Sequence, residues 1–358
     1  MNVTSMPRVL TIVALALAVV AACGGDDTDP TATSTAPAPT ATTASGGDLT
    51  PITVGYVPAL VFAPVMIAHD KGYFAEYGLD VTLEPLPGGS DMVVLTANGT
   101  FDIGIGGAGP AFFNAQEDGI GLRVIGPFHI ERAPQATPLM VKKARFDSGE
   151  LTTAGDLKGL KVSVNARGAT EYWLDTALRT DGLTIEDVDL QTLPFSDVAA
   201  ALDSGAIDGA MLGEPLATMA EQQGIAVRLN VNFPADFQPT FVWTNAEFGR
   251  DNVDLTTGFM AGLMRGCRDL LADDWNNAEN LAIIESYTRV PADLISTAAR
   301  SYCEPNGEIN ANNLLTLQSF FMERGLLDYS EPLDVETFID RTVAANALEL
   351  IGRYDESQ

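Results

Sequence analysis

The middle of this chain occurs twice. Val81-Thr82-Leu83-Glu84-Pro85-Leu86-Pro87 aligns with Val188-Asp189-Leu190-Gln191-Thr192-Leu193-Pro194, Ser90-Asp91 with Ser196-Asp197, Asn98-Gly99-Thr100-Phe101-Asp102 with Ser204-Gly205-Ala206-Ile207-Asp208, and Pro110 with Pro215. A repeat of this length constrains architecture more than any single motif does. Within the first unit, short β-rich runs alternate with helical stretches, as an α/β fold requires. Residues 52–56 (ITVGY) read as a strand, 63–71 as a helix, 79–83 as a strand, 91–98 as a helix that Ser90 can cap, and 101–105 as a strand. The second unit opens on residues 161–164 (KVSV), the counterpart of ITVGY. Two βαβ-repeat lobes are the simplest account, and 358 residues suit two lobes of roughly 100 to 200 residues each.

Two extended segments, 137–142 (TPLMVK) and 239–245 (PTFVWTN), read as crossing strands that join the lobes. Two such strands make a hinge, so the lobes can close on a ligand. The expected division is residues 51–137 with 245–358 for lobe one and 138–244 for lobe two. The five helical stretches after the return, 255–271, 278–288, 291–302, 312–324 and 335–350, are expected to pad lobe one.

Ahead of the repeat lies an address. Arg8 precedes an apolar run over residues 9–20, followed by Val20-Ala21-Ala22-Cys23-Gly24. A charged start, a short apolar core and small residues before a break describe an export signal over residues 1–22, too short to remain as a membrane span. Cys23 after two small residues resembles the bacterial lipobox, which implies cleavage before Cys23 and lipidation there. The alternative is a plain signal whose cleavage leaves a cysteine. Residues 24–47 are almost purely Gly, Asp, Thr, Ala, Ser and Pro, with nothing large enough to build a core, and residues 23–50 read as a tether between membrane and folded body.

The charge balance sets the class of partner. Asp and Glu number 48 against 20 Lys and Arg, which opposes nucleic acid, whose phosphates need clustered cations. Outside the reducing cytosol disulfides persist, so Cys267 and Cys303 are read either as a bridge or as two buried thiols. The two histidines, His69 and His129, lie far from both cysteines, so no metal is expected.

Taken together, the lipobox, the Val-Gly-Tyr strand, Ala68-His69-Asp70-Lys71-Gly72-Tyr73-Phe74, Tyr77-Gly78-Leu79-Asp80-Val81 and Gly213-Glu214-Pro215 resemble the binding proteins of the nitrate, sulfonate, taurine and thiamine-pyrimidine import group. The resemblance runs from about Pro51 to Thr244. It implies a periplasmic-binding-protein-like fold of type II, and a monomeric, cofactor-free binder that delivers a small-molecule solute to an ABC permease and its ATPase.

In open α/β sheets ligands bind beyond the carboxyl ends of the strands. That rule selects Tyr56, the Gly88-Gly89-Ser90 loop, and Gly107 and Phe112 after the third strand. In lobe two it selects Arg167, Thr170 and Tyr172 from Asn165–Tyr172, then Phe195 and Glu214. The glycine loops before each helix offer free amides to a polar oxygen, or are simple caps. Arg167 is a mobile cation or a surface charge. Tyr56, Phe112, Tyr172 and Phe195 are candidate aromatic walls, with Phe113 and Trp173 assigned to the core. Glu214 either reads a ligand nitrogen or balances a helix terminus. These walls lean toward a vitamin-like heterocycle such as a thiamine-pyrimidine or flavin precursor; the amides and Arg167 lean toward a sulfonate or nitrate-type oxyanion.

Two other readings are weighed. Gly104-Ile105-Gly106-Gly107-Ala108-Gly109 fits G-x-G-x-x-G but follows the third strand, whereas a dinucleotide fingerprint opens the first unit. A thiamine-pyrimidine-synthase-like enzyme would need a lysine and histidine at the cleft, and His69 and Lys71 sit at a helix end instead. The expectation is therefore not an enzyme.

Overall fold

The computed structural model describes residues 48–88, 90–271 and 274–355. The expected signal, Cys23 and nearly all of the tether lie outside the described residues. The body begins slightly earlier than expected, because Thr50 already pairs with Leu79.

In chain order the strands are β1 (Thr50–Tyr56), β2 (Leu79–Pro85), β3 (Ile103–Gly107), β4 (Leu122–Glu131), β5 (Leu139–Lys142), β6 (Lys161–Val164), β7 (Asp189–Thr192), β8 (Gly209–Met211), β9 (Ala226–Arg228) and β10 (Phe237–Asn245). The helices of the first unit are α1 (Ala63–Asp70), α2 (Ser90–Ala97) and α3 (Pro110–Glu117). Those of the second are α4 (Lys143–Asp147), α5 (Ala169–Arg179), α6 (Phe195–Ser204) and α7 (Leu216–Gln222). The chain then runs through α8 (Ala246–Asp251), α9 (Val253–Leu271), α10 (Ala278–Thr288), α11 (Ala292–Ile295), α12 (Ala311–Glu323) and α13 (Arg341–Ile351).

The repeat is visible as two sheets wound alike. One has the order β2-β1-β3-β10-β4 and the other β7-β6-β8-β5-β9. In each, three strands are parallel and the fourth runs against both neighbours. The hinge strands correct the expected lobe boundary. Residues 239–245 fall inside β10, which pairs with β3 and β4, so lobe one resumes at Phe237 and not at residue 245. The chain crosses between lobes over residues 132–138 and 229–236. β10 is buried along eight of its nine residues, so no alternation in the sequence marks which sheet it joins.

The C-terminal helices α9, α10 and α13 cover the outer face of lobe one. Gly258, Gly262 and Gly266 recur every four residues along α9: a Cβ at Gly266 would overlap the Pro64 carbonyl oxygen of α1, and Gly262 and Gly258 face Phe74 and Tyr77, so the bare stripe lets α9 lie close against α1 and the segment after it. Helix α12 departs from expectation and bridges the lobes. Its Phe320 ring meets Tyr172 at 5.4 Å, and Arg324 just beyond it pairs with Glu171 and Glu186 of lobe two. Two expected helices are shorter. Residues 291–302 keep only α11, because the chain then extends so that Ile130 N–H donates to the Tyr302 carbonyl. Residues 335–350 break before α13, whose N-cap Asp340 accepts from Thr342 N–H at 2.9 Å. Of the two readings of the cysteines, the structure has the bridge: Cys267 on α9 joins Cys303 across a Cα separation of 5.9 Å.

Candidate functional site: the cleft between the lobes

Both sheets aim their parallel strand ends at one cavity. Val57 follows β1, Gly106 and Gly107 end β3, Asn165 follows β6, and all line it. The cavity leaves about 80 Å³ for the centre of a water-sized molecule to move in. A single water needs only about 10–15 Å³ on that measure, so a compact organic group fits.

Four aromatic side chains wall the cavity: Phe62 and Phe112 from lobe one, Trp173 and Phe195 from lobe two. Their neighbours hold them in place. Phe62 lies 5.1 Å from Phe128, Phe112 lies 5.3 Å from Trp243, and Trp173 is met edge-on by Phe233 at 5.4 Å and Phe237 at 5.2 Å. Rings locked this way order little further when a ligand arrives.

Polar groups are few. Thr170 donates to Asn165 Oδ1 at 2.8 Å, and Thr240 Oγ1 accepts from His129 N–H at 3.1 Å. Arg167 is half exposed and stands 3.5 Å from Glu171, a fully buried carboxylate that Arg324 also pairs with. The starts of α3 and α5 meet here too. Their N-caps, Gly109 and Gly168, make no side-chain capping hydrogen bond; Pro110 has no N–H to offer, which leaves the Ala111 N–H of α3 and the Ala169 and Thr170 N–H groups of α5 open to a ligand oxygen.

The lobes touch around the rim. A Cβ built on Gly109 would lie 2.6 Å from the Arg167 carbonyl oxygen, and one on Gly107 would lie 3.2 Å from Ala169 Cβ. The glycine run at 104–109 is thereby explained in part: at 107 and 109 it permits close approach of lobe two. On the far side Leu60 N–H donates to the Glu214 carbonyl at 2.7 Å.

A family model described as NMT1/THI5 like matches residues 59–274, which takes in both lobes of the cleft. The chain belongs to the NMT1/THI5-like family. The riboflavin-binding protein RibY of Chloroflexus aurantiacus is 27% identical over 276 residues, 74% of this chain and 75% of that protein. Among solved structures, the alkanesulfonate-binding protein SsuA from Xanthomonas axonopodis pv. citri, bound to MOPS, aligns with a TM-score of 0.69 at 17% identity, covering 83% of this chain and 100% of that one. The nitrate-binding protein NrtA from Synechocystis PCC 6803 gives 0.71 at 15% identity, covering 85% and 90%. At these identities the structures share the two-lobed binding-protein fold, as the sequence resemblance implied.

The cavity brings together five of the family member's expected site residues: Gly107, Phe112, Arg167, Thr170 and Phe195. Others fall elsewhere. Tyr56 is buried one layer back, edge-on to Phe62 at 6.4 Å and to Tyr287 at 6.0 Å. Tyr172 points out of the cleft and stacks on Phe237 at 5.1 Å, beside Phe320. Gly88 sits where its Cβ would be 3.2 Å from the Asn165 carbonyl oxygen, a contact between lobes. Gly89 lies outside the described residues, and Ser90 opens α2.

Glu214 needs the largest correction. It is fully buried away from the cavity, where it accepts from Thr218 N–H and the Thr218 hydroxyl, both at 3.0 Å, from Arg228 at 2.5 Å and from Ala299 N–H at 3.2 Å. Every oxygen is engaged, so it reads no ligand nitrogen. Sequence reasoning also missed three wall residues, Phe62, Trp173 and His129. For Trp173 the signal was present: it lies three residues after Thr170, on the same face of α5, whereas Tyr172 is one step off.

Proposed function

We propose that this chain is the extracytoplasmic solute-binding subunit of an ABC importer, a monomer that closes its two lobes on a small planar ligand and hands it to the permease and ATPase. The ligand we favour is a neutral or weakly charged aromatic heterocycle, such as a flavin or thiamine-pyrimidine precursor. The cavity walls carry this reading: four rings, three of them braced by aromatic neighbours, and one half-exposed cation suit a planar ring better than a hydrated anion. The likeness to RibY supports it. A second reading, an alkanesulfonate or nitrate-type oxyanion, rests on the two open helix starts and Arg167.

The enzyme alternative drew on His69 and Lys71. Lys71 donates to Asp269 at 2.7 Å, His69 Nε2 lies 3.0 Å from the Val81 carbonyl oxygen, and neither lines the cavity. Their roles are accounted for on the outside of lobe one.

Melting temperatures measured with riboflavin, a thiamine-pyrimidine precursor, ethanesulfonate, taurine and nitrate test the reading. A ligand at a hundred times its Kd stabilises by about 2.7 kcal/mol. Stabilisation by the heterocycles is expected, stabilisation by sulfonates or nitrate alone supports the second reading, and none by any of them contradicts a binding role of either kind.

Two substitutions probe the rest. Gly109→Ala places a methyl against the Arg167 carbonyl of the facing lobe, a contact that opening of the lobes would relieve. Overpacking costs about 1–3 kcal/mol, so affinity for the stabilising probe should fall roughly five- to hundredfold by calorimetry while the unliganded melting temperature holds. Membrane attachment is proposed to run through a lipid on Cys23. Cys23→Ser should move the protein from the membrane fraction to the medium or periplasm; unchanged membrane attachment would refute the anchor.

A further inference from the structure

Two buried groups at the cavity have no role in the reading above. His129 and Glu131 are two residues apart on β4 and so leave the same face of the strand. They are 3% and 1% exposed, and His129 lines the cavity. Its Nε2 lies 3.1 Å from Glu131 Oε2, while the other Glu131 oxygen accepts from Ala136 N–H at 2.7 Å. Nε2 and Oε2 stand at ion-pair distance without the alignment of a hydrogen bond, and neither finds another hydrogen-bond partner.

A neighbouring cation favours the charged form of a carboxylate shut away from water, which otherwise tends to take up a proton. Arg132, the next residue, turns outward to Asp236. The other charged side chain on the cavity wall, Arg167, comes from lobe two and faces Glu171. The side chain facing Glu131 is the His129 ring, which as an imidazolium would carry a proton on each nitrogen: Nε2–H toward Glu131, and Nδ1–H still to be used.

The polar edge of the cleft is then rich in donors, with the Thr137 and Thr240 hydroxyls able to serve either way. Arg167, Nδ1–H of His129, the Ala111 N–H of α3 and the Ala169 and Thr170 N–H groups of α5 can donate, while Asn165 Oδ1 is already occupied by Thr170. We propose that His129, held as an imidazolium by Glu131, selects the ligand by donating to a carbonyl or oxyanion oxygen, so that the site takes oxygen-bearing rings or anions and refuses cations. This rests on the proposed binding role and narrows its ligand.

The chain has only two histidines, so full-length protein labelled with 15N-histidine gives two imidazole spin systems, and His69→Gln assigns them. At pH 7 both nitrogens of His129 should be protonated, and Nδ1 should shift when riboflavin or ethanesulfonate binds, whichever raises the melting temperature. Glu131→Gln should abolish the doubly protonated form. His129→Leu should weaken that probe about tenfold or more, the usual scale for a charged hydrogen bond, and His129→Gln, which keeps a donor, should recover part of the loss. Thiamine, a cation, should not bind. A neutral ring with a bare Nδ1, an Nδ1 unmoved by a bound probe, unchanged affinity in His129→Leu or tight thiamine binding would each overturn the proposal while leaving the binding role intact. Failure of every probe to bind would remove the binding role itself, and the proposal with it.

Discussion

Glu214→Ala is expected to destabilise the protein by about 3 kcal/mol, the lower end of the cost of breaking a buried ion pair. The carboxylate has no exposed surface and takes four donors: Thr218 N–H and hydroxyl, the Arg228 guanidinium and Ala299 N–H. Alanine leaves all four without that acceptor. Arg228 keeps Glu221 at 2.8 Å and a quarter of its side-chain surface in solvent, which is why the lower end applies. Urea denaturation measures the effect, and a loss under about 1 kcal/mol would show that the cluster is better hydrated than its burial implies. Because Glu214 lies outside the cavity, probe affinity of the folded variant should change far less than its stability. The reverse pattern would return Glu214 to the binding site.

The second large effect is removal of the disulfide. Cys267 and Cys303 are 36 residues apart, and closing a loop of that length restrains the unfolded chain by about 4 kcal/mol in the chain-entropy account. The double variant Cys267→Ser with Cys303→Ser should lose most of that by denaturation under non-reducing conditions, and added reductant should then have no further effect on it. The bridge also fixes a functional stretch of backbone. Just before Cys303, Ala299 N–H reaches Glu214, the Ser301 hydroxyl reaches the Leu60 carbonyl, and the Tyr302 carbonyl accepts from Ile130 N–H. Glu214→Ala and loss of the bridge loosen the same segment, so their combined cost should fall short of the sum.

Which features could be read from the sequence follows from how local their causes are. The repeat at Val81 and Val188 announced two sheets with the same strand order, because each lobe repeats its own pattern of strand, helix and turn. The lobe boundary escaped because β10 is buried on both faces, and a continuously apolar run carries no sign of which sheet receives it. At the site, strand ends and glycine-rich helix starts pointed to the right loops. Choosing Tyr172 over Trp173 was an error of one helical step. Glu214 looked free because its cation, Arg228, lies 14 residues downstream and another donor, Ala299, lies 85 away. His129 and Glu131 were legible in principle, as two polar residues at strand spacing in the otherwise apolar run that ends β4. Their meaning needed the cavity beside them.

The account stands on capture of a ligand between the lobes. Hydrogen–deuterium exchange of the full chain, with and without the probe that most raises its melting temperature, tests this directly. Protection is predicted in both lobes at once, over residues 106–112 and 165–173, since the helix-start amides of α3 and α5 meet across one cavity. Protection confined to one lobe, or lying only on the outer helices, would contradict it.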